Sequence, residues 1–151
     1  MDYVELPQDE KFSGRDPFLQ IPNEDESTSL LVFRSKLCYA ALNKFPYNAG
    51  HAMVIPYRQA ADIQDLTGDE YEDVCQSVLR MQKILIDALH PQGFNIGYNL
   101  GGAAGAGIAD HVHCHIVPRW NGDTNFMPVI VGTKVLPLAL KKMVARLRSF
   151  I

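Results

Sequence analysis

A chain of 151 residues is long enough to bury one core and short for two, and its 47% hydrophobic and 21% charged residues are the balance of a globular domain. A net charge of −3 and an isoelectric point near 5.9 exclude a broad nucleic-acid surface, which needs strong positive charge, but leave room for a small anion held by local donors. No apolar run approaches the roughly 18 residues of a membrane span. The start, Met1-Asp2-Tyr3-Val4-Glu5-Leu6, has no basic stretch followed by an apolar one, so neither a membrane partner nor a secretory signal is expected.

Residues 1–28 are rich in Pro, Asp and Glu without a hydrophobic period. They are expected to form an amino-terminal arm, laid over the domain at 29–151 or partly disordered. Two apolar, β-leaning runs at 29–34 and 37–42 flank Ser35-Lys36, the pattern of a hairpin. Residues 51–55 make a third strand, stopped by Pro56. Thr67-Gly68-Asp69-Glu70 has the form of a capping box. The helix it opens carries Tyr71, Val74, Cys75, Val78, Leu79, Leu85 and Leu89 at helical spacing and ends before Pro91 and Gly93. A fourth strand is expected over 94–99 and a fifth over 110–117. Pro137 suits the first turn of a last helix, with Leu140, Met143, Val144 and Leu147 facing inward. This order describes an α+β domain: an antiparallel sheet of about five strands with two main helices.

Cys38, Cys75 and Cys114 are odd in number and far apart, and none forms a Cys-x-x-Cys pair. They read as small buried hydrophobes in a reducing, cytoplasmic setting.

The fifth strand holds the informative residues. Asp110-His111-Val112-His113-Cys114-His115-Ile116-Val117 places three of the five histidines at alternate positions. A strand sends residues i, i+2 and i+4 to one face, so His111, His113 and His115 project together while Val112, Cys114 and Ile116 enter the core. Immediately before them, residues 101–107 are only Gly and Ala. Such a segment adds little to a core, but its amides can approach an anion closely. It is no P-loop, since no Gly-Lys-Ser/Thr follows and it leads into a strand. Imidazoles beside free amides suit phosphoryl chemistry, in which a histidine nitrogen attacks phosphorus and splits one displacement into two. His113, with a neighbour on each side, is best placed to attack.

His-Val-His-Cys-His-Ile-Val resembles the motif of the histidine triad family, and Gly50-His51, with Asn43 eight positions earlier, resembles its second signature. The likeness runs from about residue 30 to 128. The stretches 42–51, 93–97 and 118–126 resemble the prokaryotic branch near the fragile-histidine-triad hydrolases and diadenosine polyphosphate phosphorylases. The resemblance implies a nucleotidyl hydrolase or transferase acting on dinucleoside polyphosphates, in a homodimer whose central strands join. It implies His113 as nucleophile, His115 as phosphate-binding partner, His111 as the orienting histidine and His51 as support for the nucleophile. It also implies nucleotide contacts at Asn43, Asn99, Leu100, Gly105, Ala106, Gly107, Ile108 and Ala109. No cofactor is required under this reading, and any Mg²⁺ would accompany the substrate.

Two positions depart from the family pattern. Asp16-Pro17-Phe18-Leu19 stands where many relatives carry a Cys-x-x-Cys zinc knuckle, so no structural zinc is expected. Gly107 stands where hydrolases and phosphoramidases often carry glutamine, which leaves water and phosphate both open as acceptors. Arg119, Thr124 and Asn125 offer donors for such a phosphate. Three other readings remain: a nucleoside phosphoramidase, a non-catalytic nucleotide sensor and a zinc hydrolase built on His-x-His.

Overall fold

The computed structural model describes residues 16–25, 28–123 and 137–151. Thr124 and Asn125 lie outside them. The strands are β1 (Leu31–Arg34), β2 (Cys38–Leu42), β3 (Ala52–Pro56), β4 (Gly93–Tyr98) and β5 (Cys114–Arg119). They form one sheet in the order β1-β2-β3-β5-β4, with each neighbouring pair antiparallel. Among the described residues, two α-helices complete the α+β fold, α1 (Gly68–Leu89) between β3 and β4, and α2 (Pro137–Arg148) after β5.

Every residue of β2 and β3 is buried, because these strands are covered on both faces. On one face Cys38, Ala40, Leu42, Ala52, Val54, Cys114 and Ile116 pack against Val74, Met81, Leu85 and Ala88 of α1 and Leu140, Val144 and Leu147 of α2. On the other, Tyr39, Ala41, Met53 and Ile55 meet Leu31 and Phe18. Phe18 belongs to a 3-10 turn, Pro17–Leu19, whose first amide is held by the Asp16 side chain and which has Pro17 in its first position. A stretch expected as part of the arm therefore closes the second face.

The capping box of α1 forms as the sequence predicts. Thr67 Oγ1 accepts from the Glu70 amide at 3.2 Å and the Glu70 carboxylate accepts from the Thr67 amide at 2.8 Å, a pattern that contributes about 1 kcal/mol. The buried stripe is Val74, Ser77, Met81, Ile84, Leu85 and Ala88. Tyr71 and Leu79, expected inward, are exposed. Leu79 lies roughly 140° around the helix from Val74 at about 100° per residue, so both cannot face the sheet. Gly50, just before β3, has φ +76°, and a Cβ there would lie 2.5 Å from Leu89 Cδ1 and 3.2 Å from Leu85 Cδ2. Glycine thus lets α1 close onto the turn that delivers His51.

The histidine strand differs from expectation. Pairing between β3 and β5 runs from Ala52↔Ile116 to Val54↔Cys114 and stops. Pro56 has no N–H to extend the ladder, and the Val112 amide bonds instead to the Ala60 carbonyl at 2.6 Å. The strand starts at Cys114, and His111 and His113 lie on the segment leading into it.

Candidate functional site

Four histidines meet on the face away from the helices. The register Met53↔His115 puts His115 on the Met53 side of the sheet, and His51 shares that side by alternation. The His113 and His115 ring centroids are 4.7 Å apart, and those of His51 and His115 are 5.1 Å apart. His111 does not stand beside them as an equivalent third ring. It is fully buried, with Nδ1 2.5 Å from an Asp16 carboxylate oxygen and Nε2 2.8 Å from the Pro56 carbonyl.

The partners of each ring fix where its proton sits. The Tyr47 amide donates to His51 Nδ1 at 3.1 Å, so that nitrogen is unprotonated and the proton is on Nε2. His51 Nε2 then donates to His115 Nδ1 at 3.0 Å, which places the His115 proton on its own Nε2. His113 Nδ1 donates to the His111 carbonyl at 2.8 Å, leaving the His113 Nε2 lone pair free. The arrangement pairs a free imidazole lone pair with a neighbouring N–H donor.

Electrostatics keep these rings neutral. Burial pushes His51 down to about 3, with the His115 and His113 rings adding to the effect. Burial, then the His113 ring, lowers His115 to about 4. His113 is also lowered, chiefly by burial, against an opposing contribution from its bond to the His111 carbonyl. A neutral imidazole is a nucleophile, whereas a protonated one is not.

An open groove of about 400 Å³ reaches His115. Tyr47, Asn48, Asn95, Asn99 and Arg119 line it, and Tyr47 is stacked on His51 at 4.8 Å. Above the same face lies the Gly/Ala loop, anchored by Ile108 against the Phe18 cluster. Gly101 and Gly105 take positive φ, +79° and +84°, around a 3-10 turn at Gly102–Ala104. The Gly105 and Ala106 amides are used inside this turn, at Gly102 and Gly101 carbonyls. Among the described residues, none accepts from the amides of Gly101, Gly102 and Ala103 or of Gly107, Ile108 and Ala109, so both ends of the loop have amides open to a ligand. A Cβ at Gly107 would meet nothing within 4 Å.

The HIT domain model matches residues 24–122, which include all four clustered histidines. The chain belongs to the HIT domain family. It is 43% identical over 129 residues to the AP-4-A phosphorylase of Mycobacterium tuberculosis, covering 85% of this chain and 66% of that protein. It is 37% identical over 95 residues to the bis(5'-nucleosyl)-tetraphosphatase [asymmetrical] of Schizosaccharomyces pombe, covering 63% of this chain and 52% of that one. The chain thus spans less than two thirds of these relatives' lengths. The solved histidine triad nucleotide-binding protein of Sulfolobus tokodaii superposes with a TM-score of 0.75 at 25% identity, covering 89% of this chain and 91% of that one.

Within this HIT fold, the remaining predicted positions lie as follows. Asn43 follows β2, its amide bonded to the His51 carbonyl and its Oδ1 accepting from the Phe45 amide at 2.9 Å. Its side-chain oxygen serves a turn, and its Nδ2 has no partner among the described residues. Asn99 lines the groove, and Leu100 is exposed at the start of the loop. Arg119 is not the free fork expected from its sequence position. Its Nε and Nη2 grip the Asp123 carboxylate at 2.8 and 2.9 Å, and Nη1 donates to Asn95 Oδ1 at 2.6 Å. The Arg119 guanidinium in turn holds Asp123 down at about 2. Sequence reasoning missed Asp16, Tyr47 and Asp123. Asp16-Pro17 does have the form of a capped turn, and Arg119 and Asp123 have helical-pair spacing, but neither pattern points to the histidines.

Proposed function

We propose that this HIT domain cleaves dinucleoside polyphosphates of the diadenosine tetraphosphate type through a nucleotidyl-histidine intermediate, with phosphate or water as acceptor. The observation that carries this reading is the directed hydrogen-bond chain, which leaves His113 Nε2 unprotonated beside His115 Nε2–H. His113 Nε2 attacks phosphorus, an N–P bond forms, and the P–O bond to the leaving nucleotide breaks with its electron pair on oxygen. His115 Nε2–H and the amides of 107–109 stabilise charge on the phosphoryl oxygens. The acceptor then displaces His113 and restores the lone pair. His51 holds the His115 tautomer, His111 orients His113, and Asn43 and Asn99 contact the nucleotide.

The name of the Mycobacterium tuberculosis relative supports phosphate as the preferred acceptor. The space at Gly107 accommodates it, while Arg119, neutralised by Asp123, is not its principal anchor. The scheme requires no cofactor, and Mg²⁺ enters with the substrate's phosphates. A triad-bound zinc would need three nitrogens. Both His111 nitrogens and the Nδ1 atoms of His113 and His115 already have partners, so only two Nε2 atoms remain. The family's homodimer fits β4, an edge strand with an exposed Ile96, and the free cysteines fit the cytoplasm.

Product analysis with diadenosine tetraphosphate tests the proposal. Inorganic phosphate should accelerate cleavage and give ADP with ATP. Equal rates with and without phosphate, giving AMP and ATP, would assign a hydrolase. Absence of turnover would overturn the enzymatic reading in favour of a nucleotide sensor.

A further inference from the structure

The turn at Pro17–Leu19 does more than close a face of the core. Asp16 uses both carboxylate oxygens: Oδ1 accepts from the Phe18 amide at 2.9 Å, and Oδ2 lies 2.5 Å from His111 Nδ1. His111 Nε2 faces the Pro56 carbonyl at 2.8 Å, so both ring nitrogens face oxygen acceptors. A carbonyl only accepts, so Nε2–H donates to Pro56, and the short contact on the other side holds one proton between Nδ1 and the Asp16 carboxyl group. The ring is thereby pinned at both ends. It cannot rotate or tilt without losing a buried bond.

That matters because the same residue's carbonyl accepts the His113 Nδ1 proton at 2.8 Å. A shift of the 111 backbone would release that proton and let His113 exchange tautomers, moving its lone pair away from Nε2. The same turn also applies Phe18 edge-on to His113, with ring centroids 4.8 Å apart, and the Phe18 carbonyl is fixed by the Tyr39 hydroxyl at 2.7 Å. One short turn grips two consecutive histidines of the motif.

We propose that Asp16 is a positioning residue for catalysis, holding His111 so that its carbonyl keeps His113 in the Nδ1–H tautomer. The proposal rests on the reading of His113 as nucleophile, and its test separates the two. Asp16→Ala removes both acceptor oxygens, including the one that faces His111 Nδ1. The His111 Nδ1 contact is then lost, and only the Nε2 bond to the Pro56 carbonyl remains to hold the ring. Nitrogen-15 NMR of the ligand-free protein reads the imidazole tautomers directly. The unsubstituted protein should show a strongly hydrogen-bonded Nδ1–H at His111 and a single Nδ1–H tautomer at His113; lack of either overturns the proposal without any variant. Asp16→Ala should give a tautomer mixture at His113. Its kcat on diadenosine tetraphosphate should fall about 10- to 100-fold, as for other outer supports of a reactive group, with KM changed less than about threefold. A lowered melting temperature with unchanged tautomer and kcat would make Asp16 a purely structural residue and overturn the proposal. If the unsubstituted protein turns over no dinucleoside polyphosphate, the proposed reaction fails, and the tautomer measurement alone decides the role of Asp16.

Discussion

The two faces of the sheet are made from the same strands and are held by opposite means. The helix face is almost wholly apolar, and interdigitation of Val54, Cys114 and Ile116 with Met81, Leu85 and Ala88 holds it. Its thiol at Cys38 is pushed up to about 12 by burial and is therefore inert. The histidine face is held by a directed polar chain that leaves the Nε2 atoms of His113 and His115 open, and no buried side-chain nitrogen or oxygen among the described residues lacks a partner. Alternation along β5 separates the two, with Cys114 and Ile116 packing to one side and His115 serving the other. Packing tolerates small losses one by one, whereas a directed hydrogen-bond chain fails at any broken link. Stability and chemistry should therefore be separable by substitution.

The largest expected effect is on the histidine face. His113→Ala removes the covalent route and should lower turnover on the order of 10³-fold or more, about 4 kcal/mol in the barrier. Nucleotide binding and the melting temperature should change little, and a titration of bound nucleotide beside single-turnover rates checks both. Near-normal turnover would refute the nucleophile assignment. The opposite substitution is Leu85→Ala on the helix face. Leu85 is fully buried and packs over Gly50. Its truncation should cost about 2–5 kcal/mol of stability, measured by urea unfolding. Turnover per folded molecule should stay within about threefold. A proportionate loss of turnover would show that the faces are coupled through the Gly50 turn.

Much of this division is legible in the sequence because it is local. Alternation in 114–117 follows from strand geometry, the capping box at Thr67 from its local pattern, and the inward residues Leu140, Val144 and Leu147 from helix periodicity. What sequence does not carry is the partner across the chain. The phase of α1 depends on which side the sheet lies, so helical spacing alone does not show that Leu79 faces solvent. The start of β5 depends on Pro56 in β3, and the setting of His111 depends on Asp16, 95 residues earlier. Identical residues thus ended in different roles: His111 buried and tied, His113 held by a carbonyl, His115 held by another ring. Periodicity places a side chain on a face, but only tertiary contacts decide its tautomer.

A smaller effect separates the faces through pH. His51 and His115 are held near 3 and 4 in the folded protein, against about 6.5 in an unfolded chain, and His113 is lowered as well. Between these values the unfolded chain binds protons that the folded protein does not. Falling pH therefore favours unfolding. The stability is fully present above pH 6.5 and declines as pH falls towards the folded values, with a limiting slope of about 1.4 kcal/mol per pH unit for each such ring. Glu70 and Asp123, lowered to about 2 by Arg58 and Arg119, act in the same direction but only below about pH 4.5, where unfolded carboxylates begin to protonate. A loss of stability between pH 6.5 and 5 consequently belongs to the histidines, and the helix-face cluster contains none. Urea midpoints should fall across that interval, by on the order of 3 kcal/mol in unfolding free energy. The fall should be smaller in His51→Gln than in the unsubstituted protein. Midpoints that stay level down to pH 4.5 would mean that the rings are not held neutral, and the directed proton chain from Tyr47 to His115 would not stand.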